Sequence, residues 1–173
     1  SKNVASANLV TVNTTSLANG SNGGLATNYS LAAGQTAAAN ITPKTITPTV
    51  SNTGVTKVYD GTTTAPSGFA PAYTWSGLVT GDNAATVTHS GTSYNSSNVS
   101  TANRVTVDNL TITGITGSAG SLISDYVLDT TSKDVAASIT PKTLTGSMNN
   151  MGVTKVYDGT IAAPTGFVPS FTW

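Results

Sequence analysis

The stretch that decides the fold is GVTKVYDGT at residues 54–62, because the same nine letters return at residues 152–160, an offset of 98 residues. Val and Thr are β-branched residues that favour strands, and Asp60-Gly61 is a typical tight-turn pair. The stretch therefore predicts a strand over residues 55–59 that ends in a turn. A unit of this length is too long for a solenoid coil of roughly 20–45 residues, and it is long enough to close a core of its own.

Other segments recur at nearly the same distance. ITPKT at residues 41–45 returns at residues 139–143, and residues 1–12 resemble residues 96–107 at an offset of 95. We therefore predict three parts. These are residues 1–40 as the C-terminal half of one repeat, residues 41–138 as a complete repeat, and residues 139–173 as the N-terminal half of the next.

The composition favours an all-β chain. Thr makes up about a fifth of the residues, and charged residues make up only 8%. Glu is absent and the other residues that favour exposed helix faces are scarce. With turn signals every roughly 8–12 residues, the sequence predicts tandem Ig-like β-sandwich beads, and a β-grasp-like fold is the alternative. The predicted strands of the complete repeat are residues 44–50, 55–59, 69–75, 85–89, 104–113 (with a phase slip at Asp108-Asn109), 126–128 and 135–139.

Charge and cysteine content exclude several classes of function. Lys and Arg number seven and the acids number seven, so no basic surface predicts a nucleic-acid partner. Without Cys there is neither a disulfide framework nor a thiolate metal site. No apolar run approaches the length that spans a bilayer, so we expect no membrane insertion.

Around the repeated nine letters, the sequence resembles a known family. KVYDGTT at residues 57–63 is similar to the signature of the bacterial YDG-type repeat domains, which recur in large filamentous-haemagglutinin-like surface adhesins. The flanking segments resemble the family as well: ITPK at 41–44, GLVTGD at 77–82, NV at 98–99, DYVL at 125–128 and ITPK at 139–142. The resemblance covers the whole chain once the half-repeats are counted. The N-terminal half departs most, with Asn28 where the later copy has Asp125.

The resemblance implies a structural stalk or spacer repeat of a secreted bacterial adhesin or surface filament, which contributes to adhesion or biofilm by projecting or scaffolding. It implies an extracellular location at the bacterial cell surface, reached by two-partner secretion. The implied partners are neighbouring repeats of the same chain, other copies in a filament, and a polysaccharide or host surface. The alternative function is a carbohydrate-binding repeat module that acts multivalently.

The inventory of reactive side chains predicts no enzyme and no catalytic residue. His89 is the single histidine, and no serine stands in a Gly-x-Ser-x-Gly segment. Glycosidase chemistry would need two converging acids, and Asp82 with Asp108 or Asp125 is a weak alternative. Tyr59-Asp60-Gly61 and Tyr157-Asp158-Gly159 are interpreted instead as a structural turn signature. In it Tyr packs, Asp bonds backbone N–H groups and Gly supplies the backbone angle.

Three further groups of residues have both a binding and a structural interpretation. Phe69, Tyr73 and Trp75 alternate along one predicted face, where they would contact a glycan or, by the favoured interpretation, the core. Asp125, Asp129 and Asp134 lie near one another in sequence, so structural calcium stays open, although neither a metal site nor another cofactor is predicted. Lys57 is predicted to be a solvated strand residue, and an isopeptide bond with Asp60 as its acid catalyst is the less favoured alternative.

Overall fold

The structure of the chain, a computed structural model, describes residues 1–13 and 15–173. It consists of β-strands and three short 3-10 turns (Val4–Ser6, Ala26–Asn28 and Ile123–Asp125), so the predicted all-β class is confirmed. The strands are β1 (Leu9–Val12), β2 (Gln35–Ala38), β3 (Lys44–Val50), β4 (Val55–Val58), β5 (Tyr73–Ser76), β6 (Asp82–Thr88), β7 (Gly91–Tyr94), β8 (Arg104–Asp108), β9 (Thr111–Gly117), β10 (Tyr126–Leu128), β11 (Lys133–Thr140), β12 (Ser147–Met148) and β13 (Phe171–Thr172). The described residues contain no α-helix, whereas a β-grasp fold would need one across its sheet, and no helix there could span a membrane.

The central part of the chain folds into three sheets. One has the strand order β10-β3-β5, a second has the order β4-β11-β8-β7, and β6 pairs with β9 alone. The pairs β3–β10 and β4–β11 are parallel, and the other pairs in these sheets are antiparallel. The first two strands of the predicted complete repeat therefore lie directly against its last two.

The hydrophobic core follows from alternation along these strands. Val105 and Val107 on β8 are fully buried, while Thr106 between them points away and donates a hydrogen bond to Asp134. One buried cluster gathers Val50, Val55, Ala65, Tyr94, Ala102, Val105, Val107, Leu110, Val135 and Ile139, and a smaller one gathers Ile46, Ala85 and Tyr126. The buried apolar side chains identified in the described chain thus run from Ile46 to Ile139.

Several strand boundaries differ from those predicted. The strand predicted over residues 104–113 is two strands, β8 and β9, in different sheets, because Asn109 takes a left-handed φ of 57° and redirects the chain. The strand predicted from residue 69 begins only at Tyr73, because the Phe69 N–H is held in a turn by the Pro66 carbonyl. Strand β7 was not predicted, and β6 begins at Asp82, three residues before the strand predicted over residues 85–89.

The two ends of the chain form small ladders that match ladders of the central part. β1 pairs with β2 from Leu9↔Ala38 to Val12↔Gln35, and β8 pairs with β11 from Arg104↔Ala136 to Val107↔Lys133. Adding 95 to the residue numbers of β1 and 98 to those of β2 gives the register of β8 with β11. Likewise, β12–β13 has Ser147↔Thr172 where β3–β5 has Thr49↔Thr74, 98 residues earlier. Each end therefore folds locally as its counterpart does.

Candidate functional site

Lys57 organises the turn that follows β4. Its Nζ donates to Asp60 Oδ1 at 2.7 Å and lies 2.9 Å from each of three further oxygens: the Thr62 carbonyl, the Thr62 hydroxyl and the Thr64 carbonyl. The strand places the ammonium group above the turn, and the turn curls its oxygens around it. A cation fixes the loop because charge-assisted hydrogen bonds are stronger than neutral ones.

Asp60 completes the turn from the other side. Its Oδ1 accepts the Thr62 backbone N–H and the Thr62 hydroxyl, both at 2.9 Å. Gly61 between them has a φ of +79°, which a residue with a side chain rarely adopts. The hydrogen bond from the Lys57 ammonium, followed by that from the Thr62 N–H, lowers the pKa of Asp60 from 3.8 to about 2.

Tyr94 covers the Lys57 side chain. The ammonium lies 5.4 Å from the centre of the Tyr94 ring, and only 8% of the Lys57 side chain is exposed. The prediction of a solvated Lys57 is therefore wrong, because β7 brings an aromatic ring over a strand that lies far away in sequence. The Tyr94 hydroxyl donates to the Ser138 carbonyl at 3.1 Å. Burial, and then the negative charge of Asp60, raise the pKa of Tyr94.

The second copy of the turn repeats this geometry. Lys155 Nζ lies 2.8 Å from Asp158 Oδ1 and from the Thr160 carbonyl, and Gly159 has a φ of +73°. No ring has been found over Lys155 among the described residues, and its side chain is more exposed than that of Lys57. The turn is therefore a local structure, whereas its burial depends on the rest of the repeat.

A family model described as the YDG domain matches residues 42–133, slightly more than half of the chain. The chain belongs to the YDG domain family. The match includes the Lys57 turn and Tyr94, so the site described above lies inside the YDG domain. No curated protein and no solved structure matches the chain significantly.

The two signature tyrosines are exposed, as is most of the YDG turn, in which Lys57 has the buried side chain. Tyr59 is partly exposed and lines a shallow pocket with Val99 and Leu144. Tyr157 is almost fully exposed, in contrast to the packing expected for it. In this structure, Lys57 rather than Tyr59 therefore joins the YDG turn to the core.

The aromatic residues weighed for glycan contact face the interior of the YDG domain. Phe69 and Tyr73 are half-buried against the cluster of Val105, and Trp75 is half-buried against the cluster of Ile46. The Tyr73 and Trp75 rings lie 6.0 Å apart at an angle of 39°. Burial raises the pKa of Tyr73. This placement favours the core interpretation over the glycan one.

The acidic residues considered as calcium ligands or catalytic acids each bond to a different partner. Asp125 accepts the Val4 N–H, Asp129 pairs with Lys133, and Asp134 pairs with Arg104. Within residues 1–13 and 15–173, no group of three or more His, Asp or Glu residues could hold a metal ion. His89 is exposed, and Asp82 bonds to a tyrosine hydroxyl instead of facing Asp108 or Asp125.

That tyrosine, Tyr126, is a linking residue that the sequence did not reveal. Its hydroxyl donates to Asp82 Oδ2 at 2.6 Å and accepts the Val79 N–H at 3.1 Å, so it joins β10 to β6. The Ser121 and Tyr126 hydroxyls lower the pKa of Asp82. Burial, and then its hydrogen bond to Asp82, raise the pKa of Tyr126.

The N-terminal segment contacts the central YDG domain beside this tyrosine. Asp125 Oδ1 accepts the Val4 N–H at 2.7 Å, and the Lys2 ammonium contacts the Ala119 carbonyl. The turn at residues 1–7 that provides these contacts recurs at residues 96–102. In each turn, two backbone N–H groups that follow the Asn donate to the Asn carbonyl. This is Asn3 in the first turn and Asn98 in the second. We call the contact of the first turn with residues 119–126 the junction.

Proposed function

We propose that the chain is part of a stalk of tandem YDG domains, each an Ig-like β-sandwich bead, in a secreted bacterial adhesin or surface filament. The repeats act as spacers at the bacterial cell surface, with neighbouring repeats as their partners, and they are not enzymes. The observation that carries the proposal is the short passage from one repeat to the next. β11 ends at Thr140, and Lys142 corresponds to Lys44, the first residue of β3. Pro141, between them, fixes the backbone φ and leaves little length for a hinge.

The use of charged and polar side chains also supports a spacer. Lys57, Asp60, Asp82 and Tyr126 bond to other parts of their own repeat rather than facing an open cleft. Charged residues are few and their formal charges sum to zero, so neighbouring repeats can lie close together with little repulsion.

Small-angle scattering tests the spacer proposal. The chain is compared with longer chains in which residues 41–138 are inserted in frame once, twice and three times. A stiff spacer predicts a maximum dimension that rises by a constant step with each copy and a cross-section that stays the same. A dimension that rises with the square root of the number of copies, as for a flexible string, would contradict the proposal.

The alternative, a carbohydrate-binding repeat acting multivalently through its aromatic face, is tested on the same chains. We expect no saturable binding to polysaccharides, because Phe69, Tyr73 and Trp75 are turned towards the core. Binding that Trp75→Ala abolishes at an unchanged melting temperature would instead establish the carbohydrate-binding function.

A further inference from the structure

The junction uses a turn that recurs in the same form one repeat later. In the first turn (residues 1–7) and in the second turn (residues 96–102), two backbone N–H groups donate to the Asn carbonyl at 3.1 and 2.9 Å. In each turn the first and sixth side chains also bond through their hydroxyls, Ser1 with Ser6 and Ser96 with Thr101. The valine that follows each Asn, Val4 or Val99, therefore presents its backbone N–H group in the same way.

The second turn is fixed to the core of its own repeat. The Asn95 amide nitrogen donates to the Thr101 carbonyl at 3.1 Å. The Asn95 side-chain oxygen accepts the backbone N–H groups of Asn103 and Arg104, at 3.0 and 3.2 Å. Ala102, at the end of the turn, is buried in the larger hydrophobic cluster. A contact made by this turn therefore orients the whole repeat behind it.

The receiving side of the junction is fixed to its own repeat as well. Asp125 uses both carboxylate oxygens, since Oδ2 accepts the Leu122 N–H at 2.8 Å and Oδ1 accepts the Val4 N–H at 2.7 Å. The next residue, Tyr126, is 6% exposed and its hydroxyl bonds to Asp82. Hydrogen bonds to a charged acceptor are stronger than neutral ones. The acceptor is therefore positioned by its own repeat, and its second oxygen is the one that binds the neighbouring turn.

The valine of each turn also lies beside the segment that links two repeats. Val4 and Lys44 line one cavity, and their counterparts Val99 and Lys142 line another. The same arrangement is thus seen at two successive boundaries, independently of the bond to the carboxylate. Tyr59 lines the second cavity together with this linking segment. The signature tyrosine of one repeat therefore faces the start of the next.

We propose that the turn at residues 96–102 of each repeat docks on the following repeat, whose equivalent of Asp125 accepts the N–H of Val99. Together with Tyr59 beside the linking segment, this contact fixes the orientation of consecutive repeats. The bond comes from a backbone N–H, so the side chains of the turn can vary, as Lys2 and Ser97 do, without loss of the contact. The inference rests on the proposed tandem array but not on its use as a spacer.

Val4→Pro tests the contact in this chain. Proline has no backbone N–H and is favoured at the first position of a helical turn, and Asn3 before it is already extended, with φ −90° and ψ 140°. The variant therefore loses the bond to Asp125 and keeps the turn. Residual dipolar couplings of backbone N–H groups in a weakly aligned sample measure the result. In the parent chain the couplings of β1 and β2 should fit the alignment tensor of the central repeat, and in the variant they should shrink and lose that fit.

Val99→Pro is the matched control, because it makes the same substitution in the second turn, away from the junction. The couplings of β1 and β2 should then stay as in the parent chain. The proposal is overturned if these couplings do not fit the tensor of the central repeat in the parent chain. It is also overturned if Val4→Pro leaves the couplings unchanged, or if both variants reduce them equally.

The longer chain with one inserted copy of residues 41–138 tests whether the contact recurs, because its second turn meets a complete following repeat. The chain has no Cys, so Thr74→Cys in each complete repeat, on an exposed strand position, carries a pair of spin labels. Their distance distribution should be narrow, should broaden when Val99→Pro is introduced in the first copy, and should stay narrow with Val4→Pro. A distribution that Val99→Pro leaves unchanged would restrict the contact to the junction and overturn the proposal.

This proposal and the spacer proposal fail separately. Saturable polysaccharide binding would replace the spacer function and leave the contact between repeats in place. Val4→Pro and Val99→Pro without effect would remove the contact and leave the short linking segment with Pro141 to stiffen the spacer.

Discussion

The ammonium group of Lys57 lies 5.4 Å from the centre of the Tyr94 ring, so β7 closes over the turn that follows β4. This contact joins a local motif to the core. The same turn around Lys155 forms without such a ring. The chain thus contains the turn once with a buried lysine and once with a more exposed one, and the two serve as matched controls for each other.

Removing the buried cation should destabilise the central repeat. Lys57→Met keeps most of the aliphatic chain but removes the donor to the Thr62 and Thr64 carbonyls, so we expect a loss of about 1–3 kcal/mol in the free energy of unfolding. Urea unfolding followed by tryptophan fluorescence measures the loss, in a Trp173→Phe background that leaves Trp75 as the reporter. Lys155→Met is the control and should change the transition by less than about 0.5 kcal/mol. Equal losses in the two variants would show that Tyr94 and burial are irrelevant.

Acid should weaken the central repeat through Asp60. Its pKa is lowered from 3.8 to about 2 in the folded state, so its contribution to stability is present above pH 3.8 and is lost as the pH falls towards about 2. Asp60→Asn should therefore flatten the decline in unfolding free energy over this range, measured by urea titration at several pH values. Asp82 and Asp129 also have lowered pKa values, so the decline should shrink rather than vanish. An unchanged slope in the variant would contradict the role of Asp60.

The Tyr126 hydroxyl should stabilise the central repeat. Tyr126→Phe removes the donor to Asp82 and the acceptor of the Val79 N–H, and we expect a loss of about 1–2 kcal/mol. The pKa of Asp82 should rise in the variant, because a hydrogen bond that favours its charged form is gone. Carboxyl titration by NMR measures that change. Tyr29→Phe alters the exposed counterpart and should affect neither quantity.

The Tyr73 hydroxyl, unlike that of Tyr126, should not stabilise the central repeat. It is buried without a hydrogen-bond partner among the described residues, and the next repeat has Phe171 at the same position. Tyr73→Phe should therefore leave the unfolding free energy unchanged or raise it by up to about 1 kcal/mol. Thermal and urea unfolding check this expectation. A loss larger than about 1 kcal/mol would mean that the hydroxyl has a partner that this packing does not reveal.

Asp125 should hold the junction. Asp125→Ala removes the acceptor of the Val4 N–H and should speed hydrogen exchange at Val4 by roughly tenfold. Asp125→Asn retains a side-chain oxygen, as Asn28 does in the preceding half-repeat, and should keep most of the protection. Exchange at Val105, in the core, serves as the internal reference. If alanine and asparagine gave the same rate as the parent chain, Asp125 would have no part in the junction.

The sequence predicted the strands whose pattern is uninterrupted. The predicted bounds of β3 and β10 agree with the structure, because alternating β-branched or apolar residues are flanked there by clear turn residues. It recognised the irregularity at Asp108-Asn109 but not that the chain passes there from one sheet to another, because a period of two residues does not report a change of sheet. β7 was not predicted, since Tyr94 is its one large apolar residue.

The central contacts of the candidate site could not be predicted from local pattern. Asp60 and Gly61 are recognisable as turn residues, but the burial of Lys57 depends on Tyr94, which no spacing rule connects to it. The link between Tyr126 and Asp82 joins two strands of different sheets in the same way. The aromatic alternation of Phe69, Tyr73 and Trp75 was recognisable, and the structure gives the direction in which it faces.

The parallel pairing of β4 with β11, from Val55 beside Ala137 to Val58 beside Thr140, determines how a repeat responds to tension. A pull on the ends of the chain reaches β4 from its N-terminal side and β11 from its C-terminal side. The two strands are then drawn past each other along their length, and the evenly spaced bonds between them must break together rather than one after another. Such shear loading should make a repeat slow to extend, as the proposed spacer requires.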